Sequence, residues 1–574
     1  MPDLGPIDEL RTDLLICGSG GAGLFAALHA AEADPNLQIL LAVKGLYSKS
    51  GCTRMVQGGY NAVMNPSDSF EMHFRDTVVG GMYLNNQSLA WALVNDAPNR
   101  IRELEARAGC LFDRDEDGRI HQKPFGGQTF DRTVHRGDLT GIEIVSRLAE
   151  QVRNLPNVTI MEECAALGLV KDADESSVAG AVMLDLKAGR FIICEAQATL
   201  LGTGGGARMY RYSSPSVEKS GDGVAMAYHA GADLMDMEML QFHPTGLLAG
   251  SGLLTGSVVE EGLRGAGGRL YNSDGERFMT RYDPERLERS TRDVVSSAMY
   301  MEIIEGRGTP SGGVYLDVSH LGAEFVGDTF PGMVHRAGQV GRDLRVEPIE
   351  VCPTSHFHMG GVQIDEACAT NLPGLFVAGE DAGGVHGANR LGGNGVAEST
   401  VFGARAGDAI AASLGARGGR RSASRRQAEE QIAHALRYFG QGGPGAMSPF
   451  ELTRELGDLM WEGVGVVRDH RGLTSALDSI CELRERMSKV SLGGSRKWNL
   501  GWSEARNLEN RLMVGEAVAR SALHRTESRG AHRRSDHPEQ DDRRWIKNVI
   551  LSRQGESMTC RVEPVELTRI TPNA

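Results

Sequence analysis

Side chains that could bind a metal or transfer a proton lie close together in two short segments of the sequence. Cys352, His356 and His358 form a C-x3-H-x-H pattern, which lacks the further ligands of a metal site, so we predict no metal here. Glu261 and Arg264 are three residues apart, a spacing that places both on one side of a turn. Such a pair could form a structural ion pair or pass a proton, and the spacing alone favours the structural role.

A glycine-rich turn near the N-terminus has the spacing of a dinucleotide-binding site. Gly18, Gly20 and Gly23 form G-x-G-x-x-G between an apolar segment, residues 13–17, and a run of small and apolar residues. Such glycines allow a tight turn and close approach of a pyrophosphate, which the following helix N-terminus attracts. A generic site of this kind has an acid at the end of the second strand, where this sequence has Lys44.

A second apolar segment, residues 370–380, ends in Gly-Glu. Glu380 at its end could accept a hydrogen bond from a sugar or ribityl hydroxyl, or it could be an ordinary surface acid. The two elements together favour FAD over NAD as the bound dinucleotide.

The spacing of apolar residues predicts the elements that position these side chains. Short buried strands, which we expect to share one parallel sheet, are predicted at residues 13–17, 38–43, 198–203 and 374–378. Residues 241–351 separate two of these strands and are predicted to form an inserted domain. Residues 415–427 form a basic linker, after which a helical bundle is predicted at residues 427–439, 450–468, 471–490 and 503–528.

Composition excludes several classes of protein. The net charge of −14 argues against nucleic-acid binding, and the nine cysteines include no C-x-x-C pair, so we expect no iron–sulfur cluster in this chain. Scattered cysteines and an acidic start without an apolar signal segment predict a cytoplasmic protein. The uncharged stretch 14–31 contains G-S-G-G-A-G and is interpreted as strand, turn and helix rather than a membrane span.

An ordered set of motifs resembles one family along essentially the whole chain. The motifs are Q-G-G from Gln57, F-G-G-Q from Phe125, G-D-G from Gly221, Q-F-H-P-T-G from Gln241, E-G-L-R-G from Glu261, R-D-V-V from Arg292, P-T-S-H-F-H-M-G-G from Pro353, H-G-A-N-R-L-G-G-N from His386, S-R-G-A-H from Ser528 and P-E-Q-D-D-R-R-W from Pro538. Together they resemble the flavoprotein subunit of succinate dehydrogenase and fumarate reductase.

The resemblance implies an α/β architecture in four parts. A Rossmann-like FAD-binding domain is expected at residues 1–240 and 352–425, and an inserted α+β capping domain at 241–351. A helical domain at 426–530 and a small C-terminal domain at 531–574 complete the chain. The implied activity is transfer of a hydride between flavin N5 and a four-carbon dicarboxylate, with a proton exchanged at the neighbouring carbon.

The resemblance also implies roles for individual residues. The expected catalytic residues are Arg292, His243, His356, Arg390, Glu261 and Arg264. The expected substrate contacts are Phe125, Gln57, Gly58 and Glu260. The expected cofactor contacts are Gly18, Ser19, Gly20, Gly21, Ala22, Gly23, Lys44, Ser50, Gly51, Cys52, Thr53, Gln57, Gly58, Gly59, Ala166, Gly204, Asp222, Glu380, Arg390, Gly395 and Val396.

These roles suit the chemistry of the side chains. Arg390, His356 and His243 match positions that bind carboxylates, and the planar arginine fork meets a carboxylate bidentately. Arg292 matches the proton donor; because free arginine scarcely deprotonates, a relay through Glu261 and Arg264 would have to replace its proton. His358 falls where the family varies and is interpreted as structural.

Two positions depart from the family pattern. Respiratory members attach FAD through a histidine five residues before Q-G-G, where this chain has Cys52, and no histidine lies between His29 and His73. A histidyl bond is therefore impossible in this stretch, and we predict non-covalent FAD. Glu260 replaces the usual Thr or Ser that helps to hold a substrate carboxylate. Either Glu260 points elsewhere, or the substrate carries a cationic group such as an amine.

Two functions follow from these observations. The first is a fumarate reductase or succinate dehydrogenase type of oxidoreductase, which takes part in electron transport. The alternative resembles aspartate oxidase, which oxidises an amino dicarboxylate to an imine with non-covalent FAD. The family commonly transfers electrons to an iron–sulfur subunit, which would place this chain at the inner face of the membrane without a span of its own.

Overall fold

The protein is described by a computed structural model, which covers residues 4–415, 421–439 and 446–572. Part of the predicted linker, residues 416–420, lies outside the described residues, as do the outermost residues of the predicted terminal domains.

The strands are numbered in chain order. They are β1 (Ile7–Cys17), β2 (Ile39–Val43), β3 (Tyr60–Asn61), β4 (Gln122–Lys123), β5 (Thr133–Val134), β6 (Val158–Glu162), β7 (Cys164–Lys171), β8 (Val178–Asp185), β9 (Arg190–Leu201), β10 (Leu234–Met235), β11 (Leu240–Leu247), β12 (Arg269–Tyr271), β13 (Val314–Asp317), β14 (Ile349–His358), β15 (Gly361–Val362), β16 (Leu375–Val377), β17 (Val467–Arg468), β18 (Arg533–Arg534), β19 (Lys547–Gln554) and β20 (Ser557–Pro564).

The α-helices are numbered in the same way. They are α1 (Gly21–Ala33), α2 (Phe70–Gly80), α3 (Gln87–Ala106), α4 (Thr140–Arg153), α5 (Asp222–Ala230), α6 (Gly262–Gly265), α7 (Met279–Tyr282), α8 (Arg292–Glu302), α9 (Ala323–Thr329), α10 (Pro331–Gly338), α11 (Asn394–Gly415), α12 (Arg425–Leu436), α13 (Pro449–Gly463), α14 (His470–Met487), α15 (Leu500–His524) and α16 (Asp542–Trp545).

The largest sheet has the strand order β6-β2-β1-β9, which is the order of a Rossmann-like half. These four strands are parallel, and β16 adds a further parallel strand to the end of β9. The predicted strands at 13–17, 38–43, 198–203 and 374–378 therefore share one sheet. Strand β1 begins earlier than predicted, at Ile7, because its charged first half still pairs with β9.

The first half of β9 pairs antiparallel with β8, and β8 pairs antiparallel with β7. Helices α1 and α11 lie close together on the sheet: a Cβ at Gly403 would be 2.5 Å from the carbonyl oxygen of Ala22. Both helices therefore bring their N-termini to the carboxyl ends of β1 and β16, the edge where open α/β sheets bind ligands.

The part of the chain from β11 to β14 forms a separate sheet, in the order β11-β14-β13-β12. It also has a separate apolar core. Strands β11 and β14 pair antiparallel and cross the expected boundaries at 241 and 351, since β11 begins at Leu240 and β14 ends at His358. They carry His243 and His356 on neighbouring strands, which is what brings these two side chains together.

Helices α12 to α15 lie in the predicted helical region. The helix predicted over 450–468 ends at Gly463, and residues 467–468 form β17 instead, which pairs with β18. The terminal hairpin β19–β20 joins β10 and β15 in one sheet, so the end of the chain packs on the first part of the fold. Among the described helices, none combines the length and apolarity needed to cross a bilayer.

Candidate active site

A cavity of about 830 Å³ extends from the turn between β1 and α1 to the side chains around the start of α8. Backbone glycines form much of one end, and charged and imidazole side chains form the other. This volume lies within the range of pockets that bind small molecules or cofactors.

The glycine turn is fixed by contacts between backbones. A Cβ at Gly23 would lie 1.9 Å from the carbonyl oxygen of Gly18, and Gly18 itself has φ +110°. Gly20 is the N-cap of α1 and offers no side-chain acceptor, while the N–H of Gly21 donates to Thr53 Oγ1 at 3.1 Å. Gly20, Gly21 and Ala22 line the cavity, so the N-terminus of α1 is placed to attract a phosphate.

Nearly all of the predicted cofactor contacts line this cavity. Those in its wall are Gly18, Ser19, Gly20, Gly21, Ala22, Lys44, Ser50, Gly51, Cys52, Thr53, Gln57, Gly58, Gly59, Ala166, Gly204, Asp222, Glu380, Arg390, Gly395 and Val396. Gly23 is not in the wall, because it packs against Gly18 behind the turn.

Lys44, at the end of β2, is held by an ion pair rather than left free. Its Nζ donates to Asp222 Oδ2 at 2.7 Å and to Asn507 Oδ1 at 2.6 Å. Burial would raise the pKa of Asp222, but the charge of Lys44 and the hydrogen bonds from Lys44, Ser220 and Asn510 together hold that pKa below its ordinary value. The helix α15, which carries Asn507, thereby contacts the dinucleotide end of the cavity.

The side chain of Glu380 is 9% exposed and forms an ion pair with Lys219. It also accepts the backbone N–H of His358 at 2.9 Å, and burial raises its pKa to about 7 although Lys219 opposes the shift. The neighbouring Asp381 accepts the N–H of Gly205 at 2.7 Å and fixes the loop after β9. Lys219 and Asp381 were not predicted; only their place beside the G-D-G and Gly-Glu motifs could have indicated them.

Cys52 lies in the cavity wall with a free thiol that accepts the N–H of Ser216 at 3.4 Å. Burial raises the pKa of this thiol, and the positive charge of Lys219 only partly opposes the shift. The group is therefore a neutral thiol, which is a poor nucleophile.

Arg292, Glu261 and Arg264 form a continuous charged cluster. Arg292 is the first residue of α8 and donates to Glu261 Oε2 through Nη2 at 2.6 Å and Nε at 3.0 Å. Glu261 directly precedes α6, and its Oε1 lies 3.4 Å from Nη2 of Arg264. Arg264 is not in the cavity wall; it lies behind Glu261, and its Nη1 donates to the Glu288 carbonyl at 2.7 Å.

The cluster keeps Glu261 ionised. Burial would raise the pKa of Glu261, but the charges of Arg292 and Arg264 outweigh it and hold the pKa below its ordinary value. Burial, followed by the charge of Arg292, lowers the pKa of Arg390 to about 9. The Nε of Arg390 lacks a hydrogen-bond partner among the described residues, so this end of the cavity is suited to an anion.

Gln241 joins the two arginines that face the cavity. Its Oε1 accepts from Nη1 of Arg292 and from Nη2 of Arg390, both at 3.1 Å. Its Nε2 donates to Asn389 Oδ1 at 2.9 Å and to the Arg390 carbonyl at 2.8 Å. The sequence places Gln241 in the Q-F-H-P-T-G motif but predicts no role for it, because nothing local shows that its amide bridges two distant arginines.

His243 and His356 lie side by side, with ring centroids 5.3 Å apart. Nδ1 of His243 accepts the Thr245 N–H at 3.3 Å, and Nδ1 of His356 lies 2.9 Å from Ser214 Oγ. Burial, followed by the charge of Arg292, holds the pKa of each histidine well below its ordinary value. Both rings are therefore neutral hydrogen-bonding groups. His358 lies away from them and contacts the Met237 carbonyl, consistent with a structural role.

The ring of Phe125 fits between two glycines. A Cβ at Gly58 would be 2.4 Å from the ring, and one at Gly392 would be 2.7 Å from it. Gln57 and Gly58 lie in the cavity wall beside this ring. Glu260 is also in the wall, and its Oε1 lies 3.3 Å from Nζ of Lys123, a residue that was not predicted.

The residues present fit a flavin dinucleotide. Gly51 and Gly204 have positive φ and face open space, where a Cβ would meet no atom within 4 Å. Together with the first-turn amides of α1, they form a backbone cradle that a large, flat cofactor can approach closely. Among the described residues, no group of three potential metal-ligand side chains is brought together.

The chain is similar to known proteins along most of its length. Residues 13–396 match the family described as FAD binding domain, and residues 453–574 match the family described as fumarate reductase flavoprotein C-term. The chain is 45% identical over 548 residues to a subunit of the fumarate reductase (CoM/CoB) of Methanothermobacter marburgensis, covering 95% of this chain and 97% of that protein.

Two comparisons with Escherichia coli agree. The chain is 36% identical over 588 residues to the fumarate reductase flavoprotein subunit, covering 99% of this chain and 96% of the relative. A solved E. coli quinol fumarate reductase FrdA superposes with a TM-score of 0.93 at 34% identity, covering 98% of each chain. The resemblance, the α/β fold and FAD as cofactor, all predicted from sequence, are confirmed.

Proposed function

The chain belongs to the family of fumarate reductase and succinate dehydrogenase flavoprotein subunits, and we propose that it transfers a hydride between flavin and a four-carbon dicarboxylate. It is an FAD-dependent oxidoreductase that acts on a CH–CH bond. One observation carries the proposal: Arg292, ion-paired to Glu261 at 2.6 Å, faces the same cavity as Arg390, two neutral histidines and the flavin cradle.

The proposed carboxylate-binding residues are Arg390, His243 and His356, which line one cavity. Arg390 offers a guanidinium whose Nε is unpaired, and a carboxylate bound there would relieve the repulsion from Arg292. Neutral His243 and His356 donate hydrogen bonds without adding charge. Phe125 covers one face of the bound dicarboxylate. These fixed donors stabilise the negative charge that builds on the carboxylate next to the reacting carbon.

FAD, when bound, supplies or accepts the hydride at N5. Arg292 is proposed to deliver the proton to the neighbouring carbon in reduction and to take it back in oxidation. Its proton would return through Glu261, which contacts both Arg292 and Arg264. Because Glu261 contacts both buried arginines, its carboxylate is placed to pass a proton from Arg264 to Arg292.

We propose that FAD is held non-covalently. Cys52 is a neutral, partly buried thiol, and burial also raises the pKa of Cys17 and Cys164, which line the same cavity. Acid precipitation is expected to leave a colourless pellet and a yellow supernatant, whereas a yellow pellet would refute non-covalent binding.

We assign residues 1–240 and 352–425 to FAD binding, 241–351 to the cap, 426–530 to the helical domain and 531–574 to the C-terminal domain. The separate apolar core within 247–351 supports the cap as a unit. An iron–sulfur subunit is the proposed electron partner, and through it the chain would act as a cytoplasmic, peripheral part of a membrane-associated assembly. Co-purification with a brown subunit would test this arrangement.

A substrate panel tests the proposed reaction. Reduced enzyme mixed anaerobically with fumarate should regain the absorbance of oxidised flavin, and oxidised enzyme should not be bleached by L-aspartate. Bleaching by L-aspartate with no response to fumarate would overturn the proposal in favour of amino dicarboxylate oxidation.

A further inference from the structure

Glu260 places a second carboxylate at the wall of the substrate site. It directly precedes Glu261, is 7% exposed, and lies in the same cavity wall as Arg292 and Phe125. Its Oε1 also lies over Gly262, 3.3 Å from where a Cβ at that position would be. An unpaired carboxylate here would repel a dicarboxylate substrate.

Lys123 supplies the opposite charge from another part of the chain. It lies in β4, and its Nζ is 3.3 Å from Glu260 Oε1 and 3.4 Å from the carbonyl oxygen of Gly137. The same ammonium lies 5.9 Å from the centroid of the Phe125 ring, on the wall that covers the substrate. The side chain of Lys123 is 21% exposed, so the pair lies at the margin of the site rather than in its interior.

The pair balances its own charge and leaves the inner cluster unchanged. Farther inside, Arg292 and Arg390 face the cavity, with Glu261 paired to Arg292 and the acids Glu380 and Glu398 also acting on Arg390. The two arginines match the two carboxylates of the proposed substrate. Loss of Lys123 would leave the charge of Glu260 uncompensated beside a dicarboxylate, whereas a substrate ammonium would meet Lys123 as a like charge.

We propose that Lys123 is a positioning residue that neutralises Glu260, and that the pair selects a dicarboxylate over an amino dicarboxylate. The inference deepens the proposed function and rests on it. Lys123 acts through Glu260, so its removal is expected to change substrate affinity and charge preference and to leave the chemical step nearly unchanged.

A double-mutant cycle tests the coupling. The variants are Lys123→Met, which keeps the apolar stem, Glu260→Gln, which keeps the shape, and the double variant. For each, flavin absorbance changes give dissociation constants for malonate, an unreactive dicarboxylate, and for L-aspartate. Steady-state turnover gives KM and kcat for fumarate, and FAD content and melting temperature report folding.

Lys123→Met is expected to weaken malonate binding and raise the KM for fumarate at least tenfold, with kcat within about threefold of the wild type. The ratio of L-aspartate to malonate affinity should rise in this variant, because Glu260 is then free to pair with an ammonium. Adding Glu260→Gln should return the malonate affinity to within about threefold of the wild type. Purely additive effects, or an unchanged affinity ratio, would overturn the proposal.

Two further outcomes keep the test decisive. If Lys123→Met does not bind FAD, Glu260→Gln alone carries the test: the unpaired ammonium should tighten malonate severalfold, and unchanged or weaker binding would overturn the proposal. If the wild type binds malonate but never reduces fumarate, the proposed function fails, while the binding cycle still decides the role of Lys123.

Discussion

The two ends of the cavity are formed by different kinds of group: backbone atoms at one end and charged side chains at the other. The dinucleotide end is mostly backbone, where Gly18, Gly51 and Gly204 allow close approach and the N-terminus of α1 supplies N–H groups. The substrate end consists of charged side chains, where Arg292 and Arg390 are held together by Gln241. The backbone end should therefore be sensitive to added volume, and the side-chain end to changes of charge and hydrogen bonding.

The largest effect is expected at the substrate end. Arg292→Gln removes the proposed proton donor and one of the cationic groups, so kcat should fall by roughly 10³-fold or more while FAD stays bound. Arg289→Gln, on the exposed surface three residues earlier, is the matched control and should retain activity. Fumarate-dependent turnover and the flavin spectrum give both quantities; an active Arg292→Gln enzyme would remove Arg292 from the proton transfer.

A substitution at the backbone end should instead reduce FAD binding. Gly23→Ala places a Cβ 1.9 Å from the Gly18 carbonyl oxygen, so the turn must move and FAD content and melting temperature should both fall. Gly265→Ala, where a Cβ meets no atom within 4 Å, should leave FAD content unchanged. Flavin-to-protein ratios measure this, and full FAD content in Gly23→Ala would show that the turn is not built as described.

An intermediate effect is expected where the two arginines meet. Gln241→Leu leaves Nη1 of Arg292 and Nη2 of Arg390 without their shared acceptor, so kcat/KM should fall roughly 10- to 100-fold with FAD bound. Gln339→Leu on the exposed face of the cap is the control. Wild-type kinetics in Gln241→Leu would mean that the arginines are positioned by other contacts.

The smallest effect concerns pH. The pKa of each of His243 and His356 lies well below its ordinary value, so neither gains charge between about pH 8 and about pH 6, whereas Glu380 in the same cavity has a pKa of about 7 and loses its negative charge over that range. A histidine titrating at its ordinary pKa would gain positive charge as pH falls and tighten binding of the dianion. In FAD-loaded Glu380→Gln, the dissociation constant of fumarate measured by flavin absorbance should therefore be nearly constant over this range, and tightening of more than about threefold toward pH 6 would contradict neutral histidines.

Sequence patterns predicted the backbone end better than the side-chain end, for a physical reason. The G-x-G-x-x-G turn, the strands around it and Glu380 are local features, because a turn needs its own residues to be glycine. Contacts across the fold leave no such local pattern. Gln241 meets Arg390, and Lys123 meets Glu260, only after β11, β14 and the cap have assembled.

The local sequence pattern also predicted the wrong start of strand β1 and the wrong end of helix α13. The strand predicted at residues 13–17 begins earlier, at Ile7, and includes the charged residues Asp8, Glu9 and Arg11, because β9 pairs with them. The helix predicted to 468 stops at Gly463, since residues 467–468 pair with β18 near the C-terminus. In both cases a distant strand decides the local structure.

The most direct test of the proposed reaction is one anaerobic turnover of the reduced enzyme. FAD-loaded protein, reduced without excess reductant, is mixed with fumarate while flavin absorbance is followed, and succinate is then quantified. We expect complete reoxidation of the flavin and one succinate formed per FAD. Flavin that stays reduced in the presence of bound fumarate, or that reoxidises without forming succinate, would contradict the proposed reaction.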